Sequence, residues 1–245
     1  MNQRHRRFEK LLSLENVSEM RGFEWTDAAL TIGGSVTLSE IERQVHGRLP
    51  LMEQLFPLFS SRLIRNRATL GGNLMTASPI GDSPPALLAL DAEVELQKSD
   101  GQRWVSLADF FTGYRKTRAE AGEILTRVKI PLPAPPKQRF YKVSKRVLDD
   151  ISTVAAGFSL RQADDGAITA ARLAYGGVAA TPVRATDAER VLEGKRPTPE
   201  LLKEALTLLA TAFQPLTDHR GSAEYRSRMV PKLFEKFWYE MLEGG

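Results

Sequence analysis

The sequence predicts an α+β protein of two domains, and three observations carry that expectation. Short strand-like and helix-like stretches alternate irregularly as far as Pro131. The segment Pro133-Ala134-Pro135-Pro136 then interrupts the chain with residues that cannot join a sheet and that hold a semi-rigid, extended backbone. Beyond it, three strand-like runs precede helical periodicity that continues to the end, the order expected of an antiparallel meander covered on one face by helices. The division therefore falls at 1–135 and 136–245.

Taken in order, a basic start containing Arg4-His5-Arg6-Arg7 leads to an apolar edge of Phe8, Leu11, Leu12 and Leu14, then a connecting turn over 16–20. Trp25 and the run 28–36 read as a strand, in which Gly33-Gly34 suggests a bulge or a close backbone approach. Thr37-Leu38-Ser39-Glu40 has the spacing of a capping box, so a helix should run through Ile41 and Val45. A second helix fits 52–56, with Pro57 stopping or kinking it. Val94 and Leu96 alternate with Glu93, Glu95 and Gln97 as a half-buried strand, Ser99-Asp100-Gly101 turns the chain, and Trp104-Val105 returns it. The stretch 107–114 reads as a short helix ending on Gly113, its aromatics serving the core, and 123–131 as a strand stopped by proline. In the second half the strands are 139–145, 152–161 and 168–175, with Asp164-Asp165-Gly166 as a turn, and the helices are 187–192, 200–213 and 224–242.

The bulk composition excludes several classes of function. With 245 residues, 42% hydrophobic and 26% charged, the chain has ordinary globular composition. Its 34 Lys and Arg against 30 Asp and Glu form no continuous basic face with interleaved aromatics, so a nucleic-acid partner is not indicated. The absence of cysteine removes disulfides, a thiolate nucleophile and any iron-sulfur cluster held by this chain, and three scattered histidines, His5, His46 and His219, argue against a histidine-rich metal site. No apolar run is long enough to span a bilayer and no secretory pattern opens the chain, so the expected location is the cytoplasm.

The chemistry concentrates in 65–91, RNRATLGGNLMTASPIGDSPPALLALD. Gly71-Gly72, set among Ala68-Thr69-Leu70 and Asn73, tolerate positive φ and let phosphates or a ring lie on bare backbone. The rigid segment from Ala77-Ser78-Pro79-Ile80-Gly81 offers Asp82 or Ser83 as cap for a helix that accepts Pro84 and Pro85 in its first turn and runs to Leu90. Singly, these features are most often a plain turn and a plain helix start. In combination, Arg65-Asn66, Thr69 to Asn73, Ala77-Ser78-Pro79 and Asp82 with Pro84-Pro85-Ala86 resemble the second flavin-contacting segment of the flavin-binding subunits or domains of molybdenum hydroxylases. Within that family they look like the bacterial xanthine dehydrogenase small subunit.

The resemblance implies a fold and a set of roles. The fold is a PCMH-type FAD-binding domain, incomplete at its N-terminus, followed by a three-stranded antiparallel sheet with helices, similar to the CO dehydrogenase flavoprotein C-terminal domain. Thr69, Leu70, Gly71, Gly72 and Asn73 would offer backbone N–H groups and a hydroxyl to FAD, Asp82 would accept from a cofactor hydroxyl, Ser78 and Ile80 would line the ring pocket, and Leu125 would pack near a ring. From composition alone, the charges of 141–151 read as a solvated loop with weak surface ion pairs. By resemblance, Lys142 touches the flavin, and the loop with Arg146, Asp149 and Asp150 lies against the ring, tunes it electrostatically and influences access of the nicotinamide. Hydride transfer from flavin to nicotinamide requires no general acid or base, and none is assigned. The enzyme implied oxidises a purine at a molybdopterin cofactor on a partner chain, passes electrons through two 2Fe-2S clusters to FAD, and reduces NAD, as a hetero-oligomer in which this chain alone hydroxylates nothing. Such domains open with a glycine-rich strand and loop that hold the FAD diphosphate, preceded by an iron-sulfur domain in bacterial small subunits. Neither occurs before Leu11, and a truncated start is the expectation. A carbon monoxide dehydrogenase or aldehyde oxidoreductase type of partner, and a flavin-free scaffold, remain as alternatives.

Overall fold

The structure is a computed structural model describing residues 7–243, so Arg4, His5 and Arg6 of the basic run lie outside the described residues. A 3-10 turn at Ser18–Met20 leads into β1 (Phe23–Trp25) and β2 (Ala29–Gly33), an antiparallel hairpin where the sequence suggested one strand over 28–36. The capping box forms: the Thr37 hydroxyl accepts from the Glu40 amide and the Glu40 carboxylate accepts from the Thr37 amide at 2.8 Å, opening α1 (Leu38–Val45). Helix α2 (Pro50–Leu58) is longer than 52–56 because Pro50 occupies a first-turn position, where a missing N–H costs nothing, and Pro57 falls in the last turn without ending it. Three short helices follow: α3 (Arg62–Arg65), which the sequence did not signal, α4 (Leu70–Met75) and α5 (Ser83–Leu88).

Strands β3 (Glu93–Lys98) and β4 (Gly101–Ser106) pair across the Ser99-Asp100 turn. The helix expected over 107–114 stops after one turn as α6 (Leu107–Phe110), and a small hairpin of β5 (Phe111–Gly113) and β6 (Lys116–Thr117) replaces the rest. The reason is local: the Phe110 carbonyl, which a continuing helix would give to Tyr114, accepts instead from the Arg118 amide at 2.9 Å. Phe110 is buried, while Tyr114 stands exposed.

Strand β7 (Ile124–Pro131) completes an antiparallel sheet of order β1-β2-β7-β3-β4. No bulge occurs at Gly33, which stays in register with Arg127; the irregularity lies between Glu95 and Leu96. The glycine pair serves the other option, close approach, since a Cβ on Gly34 would collide with the Leu125 carbonyl oxygen. Glu95 is also not the solvent-facing residue that its alternation suggests. It is fully buried, and its carboxylate accepts from Arg127 at 2.6 and 2.8 Å and from the Thr126 hydroxyl at 2.6 Å.

After the proline-rich segment come β8 (Lys137–Val143), β9 (Val154–Gln162), β10 (Ile168–Gly176) and the two-residue β11 (Val183–Arg184). The second sheet thus has four strands, in the order β11-β10-β9-β8, rather than three. Two residues are too few to show a period in sequence; β11 is fixed by Arg184, whose guanidinium binds both Asp91 and Glu189. Helices α7 (Thr186–Leu192), α8 (Pro199–Thr211) and α9 (Ala223–Trp238) follow, and a π-helical turn at Tyr239–Glu243 ends the described chain.

The second sheet is covered on both faces, not one. Val154, Ala156, Phe158 and Leu160 of β9 point into a core shared with residues of α7, α8 and α9, including Leu192, Leu209, Phe234 and Phe237. On the opposite face Ala155 joins the core of the first sheet, Gly157 lies against Pro85, and the Ser159 hydroxyl donates to the Ala89 carbonyl at 2.6 Å. Helix α5 is therefore a shared layer, which explains why all six of its residues are buried. Among the described residues no helix is long and apolar enough to cross a membrane.

Candidate functional site

Helix α4 stands at the centre of the candidate site, and Thr69 starts it. Its side chain accepts from the Gly72 amide at 3.1 Å, the N-cap bond that a hydroxyl residue supplies. Neither Gly71 nor Gly72 adopts positive φ; both are helical. Nor are the amides of this run free. Leu70 N donates to Val36, Gly71 N to Gly34, Gly72 N to Thr69 Oγ1 and Asn73 N to the Thr69 carbonyl, at 3.4, 3.1, 3.1 and 3.0 Å. The N–H groups expected to face a diphosphate thus each have a partner within the protein, supplied by the helix turn, the Gly34 loop or Val36. The Leu70 side chain is likewise lost to the core, at 0% exposure.

The run nonetheless borders two clefts. Thr69, Gly71, Gly72 and Met75 line one of about 430 Å3, with Gly34, Ser35, Met20, Arg67, Glu123 and Leu125. Asn73 lines another of about 240 Å3, with Phe59, Ser60, Ser78, Ile80, Asp82, Asp149 and Asp150. Of the residues singled out in sequence, Thr69, Gly71, Gly72 and Leu125 thus meet in the first cleft, and Asn73, Ser78, Ile80, Asp82, Asp149 and Asp150 in the second. Lys142 and Arg146 line neither; they share a third hollow with Leu58 and Val147. Arg67, Glu15, Gly34 and Ser35 were not singled out for the site. The sequence signal nearest to them is the Gly33-Gly34 pair, whose Gly34 lines the cleft.

The two glycines divide the work. A Cβ on Gly71 would lie 2.7 Å from the Gly34 carbonyl oxygen, whereas a Cβ on Gly72 would meet only Thr69 Oγ1, at 3.0 Å. Gly71 therefore lets α4 settle on the Gly34 loop, and Gly72 presents bare backbone to the cleft.

Asp82 neither caps α5 nor stands free. It makes no capping bond, and its carboxylate accepts from Lys142 Nζ at 2.8 Å and from the Ser152 hydroxyl at 2.5 Å. Lys142 Nζ also donates to the Leu58 carbonyl at 2.8 Å, and the lysine side chain is only 2% exposed. Burial pushes the Asp82 carboxyl above the usual carboxylate range, and the bonds from Lys142 and Ser152 offset that in part. This buried pair joins α5 to β8 and to the loop before β9, so both residues are already committed within the chain.

Strain collects around the second cleft. Ser60, with φ 47°, and Asp149, with φ 50°, occupy the left-handed region disfavoured for side-chain-bearing residues, and a 2.8 Å hydrogen bond from Ser60 Oγ to Asp149 Oδ1 joins them. Asp150 turns inward on its own loop, accepting from the amides of Arg146 and Ile151 at 2.9 Å, which holds its carboxyl below the usual range. Val147 and Leu148 are exposed at the tip. Within this setting the Oδ1 of Asn73 is buried without a hydrogen-bond partner. An unpaired buried carbonyl is costly, so a donor from outside the protein has a place to bind. That acceptor, the open face of Gly72 and the cleft on each side of α4 fit a long ligand carrying hydroxyl and ring N–H groups, as FAD does. Thr69, Asn73 and Ser78 are the polar groups able to hold it, with Ile80 and Phe59 as apolar wall.

Comparison with known proteins agrees with this geometry. Residues 1–133 match the FAD binding domain in molybdopterin dehydrogenase, and residues 139–241 match the CO dehydrogenase flavoprotein C-terminal domain. The chain is 36% identical to nicotinate hydroxylase hnxS of Emericella nidulans over 91% of its own length and 18% of that protein. It is 35% identical to a xanthine dehydrogenase of Blastobotrys adeninivorans, over 87% of this chain and 17% of the relative. It thus spans under a fifth of these two relatives. A carbon monoxide dehydrogenase medium chain of Afipia carboxidovorans is 30% identical over 91% of this chain and 77% of its own. Among solved structures, quinoline 2-oxidoreductase from Pseudomonas putida 86 superposes with a TM-score of 0.84 at 30% identity, over 94% of this chain and 81% of that one.

Proposed function

Since this chain belongs to the family of FAD-binding subunits and domains of molybdenum hydroxylases, we propose that it is the flavin-carrying part of a xanthine dehydrogenase. In this reading it accepts electrons from iron-sulfur clusters on a partner that also carries molybdopterin, and FAD passes them to NAD, in the cytoplasm. The purine specificity is supported by the similarity to xanthine dehydrogenase and by Asp149-Asp150-Ile151 with the 77–82 stretch. The medium-chain relative from a carbon monoxide dehydrogenase supports a multi-subunit setting.

The observation that carries the flavin assignment is the unpartnered Asn73 Oδ1 in the second cleft. Bound FAD supplies hydride and single-electron transfer; the protein supplies place and charge. Asn73 offers an acceptor, Gly72 offers approach, and Ile80 with Phe59 excludes water. The Asp82–Lys142 pair holds the cleft wall to β8. Arg146 and Asp149, on the loop beside the cleft, are the charges placed to tune the ring and to control entry of a nicotinamide.

The test is a visible absorption titration of the purified full chain with FAD, repeated with Gly72→Val and Asn73→Leu. The expected result is saturable binding by the parent, lost with Gly72→Val and weakened about tenfold with Asn73→Leu, the loss of roughly one hydrogen bond. Absence of flavin both from the folded parent after titration and from the assembled enzyme overturns the flavin assignment and leaves the scaffold reading. Electron acceptance by NAD is checked separately, in the assembled enzyme, by reduction at 340 nm with xanthine.

A further inference from the structure

A hollow of about 460 Å3 lies between α1 and α3, lined by Ser39, Glu42, Arg43, His46, Arg62 and Arg65, and it shares no lining residue with the two clefts along α4. It gathers three guanidinium groups against one carboxylate. Arg65 is fully engaged within the protein, since its Nε pairs with Glu42 at 3.3 Å and its Nη1 donates to the Phe59 and Ser60 carbonyls at 2.9 and 3.3 Å. His46 is paired with Glu53 at 2.6 Å.

Arg43 and Arg62 are different. Among the described residues neither guanidinium has a hydrogen bond or an ion pair. Arg43 is in the last turn of α1, where the helix dipole favours a cation, while Arg62 belongs to the four-residue α3, a single turn whose two ends are too close to favour or disfavour a cation. No partner among the described residues accounts for Arg62 beside two other guanidinium groups. Mutual repulsion in such a group is relieved by an anion, and guanidinium forks match the oxygens of a phosphate.

We propose that this hollow binds a small phosphate-bearing anion at a site distinct from the flavin clefts. Its concave shape and its volume suit a molecule of the size of pyrophosphate or a nucleoside diphosphate. Arg65 forms its inner wall and also grips the Phe59–Ser60 turn, whose residues line the second cleft, so an anion here sits directly behind that turn.

The test is isothermal titration calorimetry of the full chain with sodium pyrophosphate and, in a separate arm, with ADP, on the parent and on Arg43→Gln, Arg62→Gln and Glu42→Gln. Arg43 and Arg62 are exposed and make no side-chain hydrogen bond or ion pair among the described residues, Arg43 acting only at longer range on Glu40, so their variants should keep the parent's far-ultraviolet dichroism. Each is expected to weaken pyrophosphate binding about tenfold, the worth of one charged hydrogen bond, and Glu42→Gln to strengthen it. Equal affinity for both anions identifies a site for free phosphate groups, and tighter ADP binding identifies a nucleotide; either outcome supports the proposal. No heat with either anion overturns it, as does binding that survives the Arg43→Gln/Arg62→Gln double variant. The FAD titration on the same samples reports the flavin clefts independently, so failure of one site is not mistaken for failure of the other.

Discussion

Gly71→Ala gives the sharpest check on how the candidate site is built. The added Cβ would stand 2.7 Å from the Gly34 carbonyl oxygen and 3.0 Å from the Gly34 Cα, both backbone atoms. Gly34 cannot retreat, because its own position abuts the Leu125 carbonyl and its amide is bonded to Thr126. Overpacking of this kind costs about 1–3 kcal/mol, and the immobile neighbour places it near the upper end. Replacing glycine by alanine inside α4 returns about 1 kcal/mol of helix propensity, leaving a net loss of about 2 kcal/mol. At about 2–4 °C per kcal/mol for a chain of this size, the melting temperature should fall by about 4–8 °C. Gly72→Ala is the control. Its Cβ meets only the Thr69 hydroxyl, so a strained cap of about 1 kcal/mol is set against the same propensity gain, and the melting temperature should barely move. Calorimetry or dichroism melts of both variants decide it. A Gly71→Ala protein that melts with the parent, or a Gly72→Ala protein that falls as far, would refute the division of roles between the two glycines.

Other outcomes follow from buried charges. Arg127→Met should destabilise by about 1–3 kcal/mol in urea unfolding, because it takes the half-exposed guanidinium from the fully buried carboxylate of Glu95 and leaves it only the Thr126 hydroxyl; adding Glu95→Gln should recover much of that, and a double variant no better than the single one would refute the account. The Glu123 carboxyl is held down to about 2, chiefly by its bonds from Arg103. Its folded value lies below its unfolded one, so its contribution is present above about pH 4.5 and is lost as pH falls toward 2. Glu123→Gln should therefore flatten the acid limb of a stability-against-pH curve in that window. The Asp82 carboxyl is shifted the other way, so its stabilising protonated form is lost as pH rises above the ordinary carboxylate range. Asp82→Asn should narrow the difference in stability between acidic and neutral pH, measured by denaturant midpoints.

What sequence made legible was local. The capping box at Thr37 and Glu40, the turn at Ser99-Asp100 and the strand of 123–131 each depend on residues within a few positions, and each forms. The errors came where a distant partner overrode the local signal. Asp82 has a good cap residue's chemistry, but Lys142, 60 positions on, takes its carboxylate. Glu95 alternates as a solvent-facing residue should, yet Arg127 on the neighbouring strand brings the charge inside. Strand β9 is apolar on both faces because α5 and α9 cover it from opposite sides, a fact that no period within 154–162 contains.

The glycine run shows why even a specific motif leaves its own chemistry open. Two adjacent glycines state that side chains are excluded, but not by what. At Gly71 the excluding object is the protein's own Gly34 carbonyl, and at Gly72 it is the cleft. The amides tell the same story: those of Leu70, Gly71, Gly72 and Asn73 each have a partner within the protein, so the side chains of Thr69, Asn73 and Ser78 are the groups we propose for holding a ligand at α4. Recognition in this chain then depends on side chains that substitution can remove one at a time. That is why Asn73→Leu, which leaves the backbone of α4 unchanged, discriminates between a flavin site and a helix that merely packs.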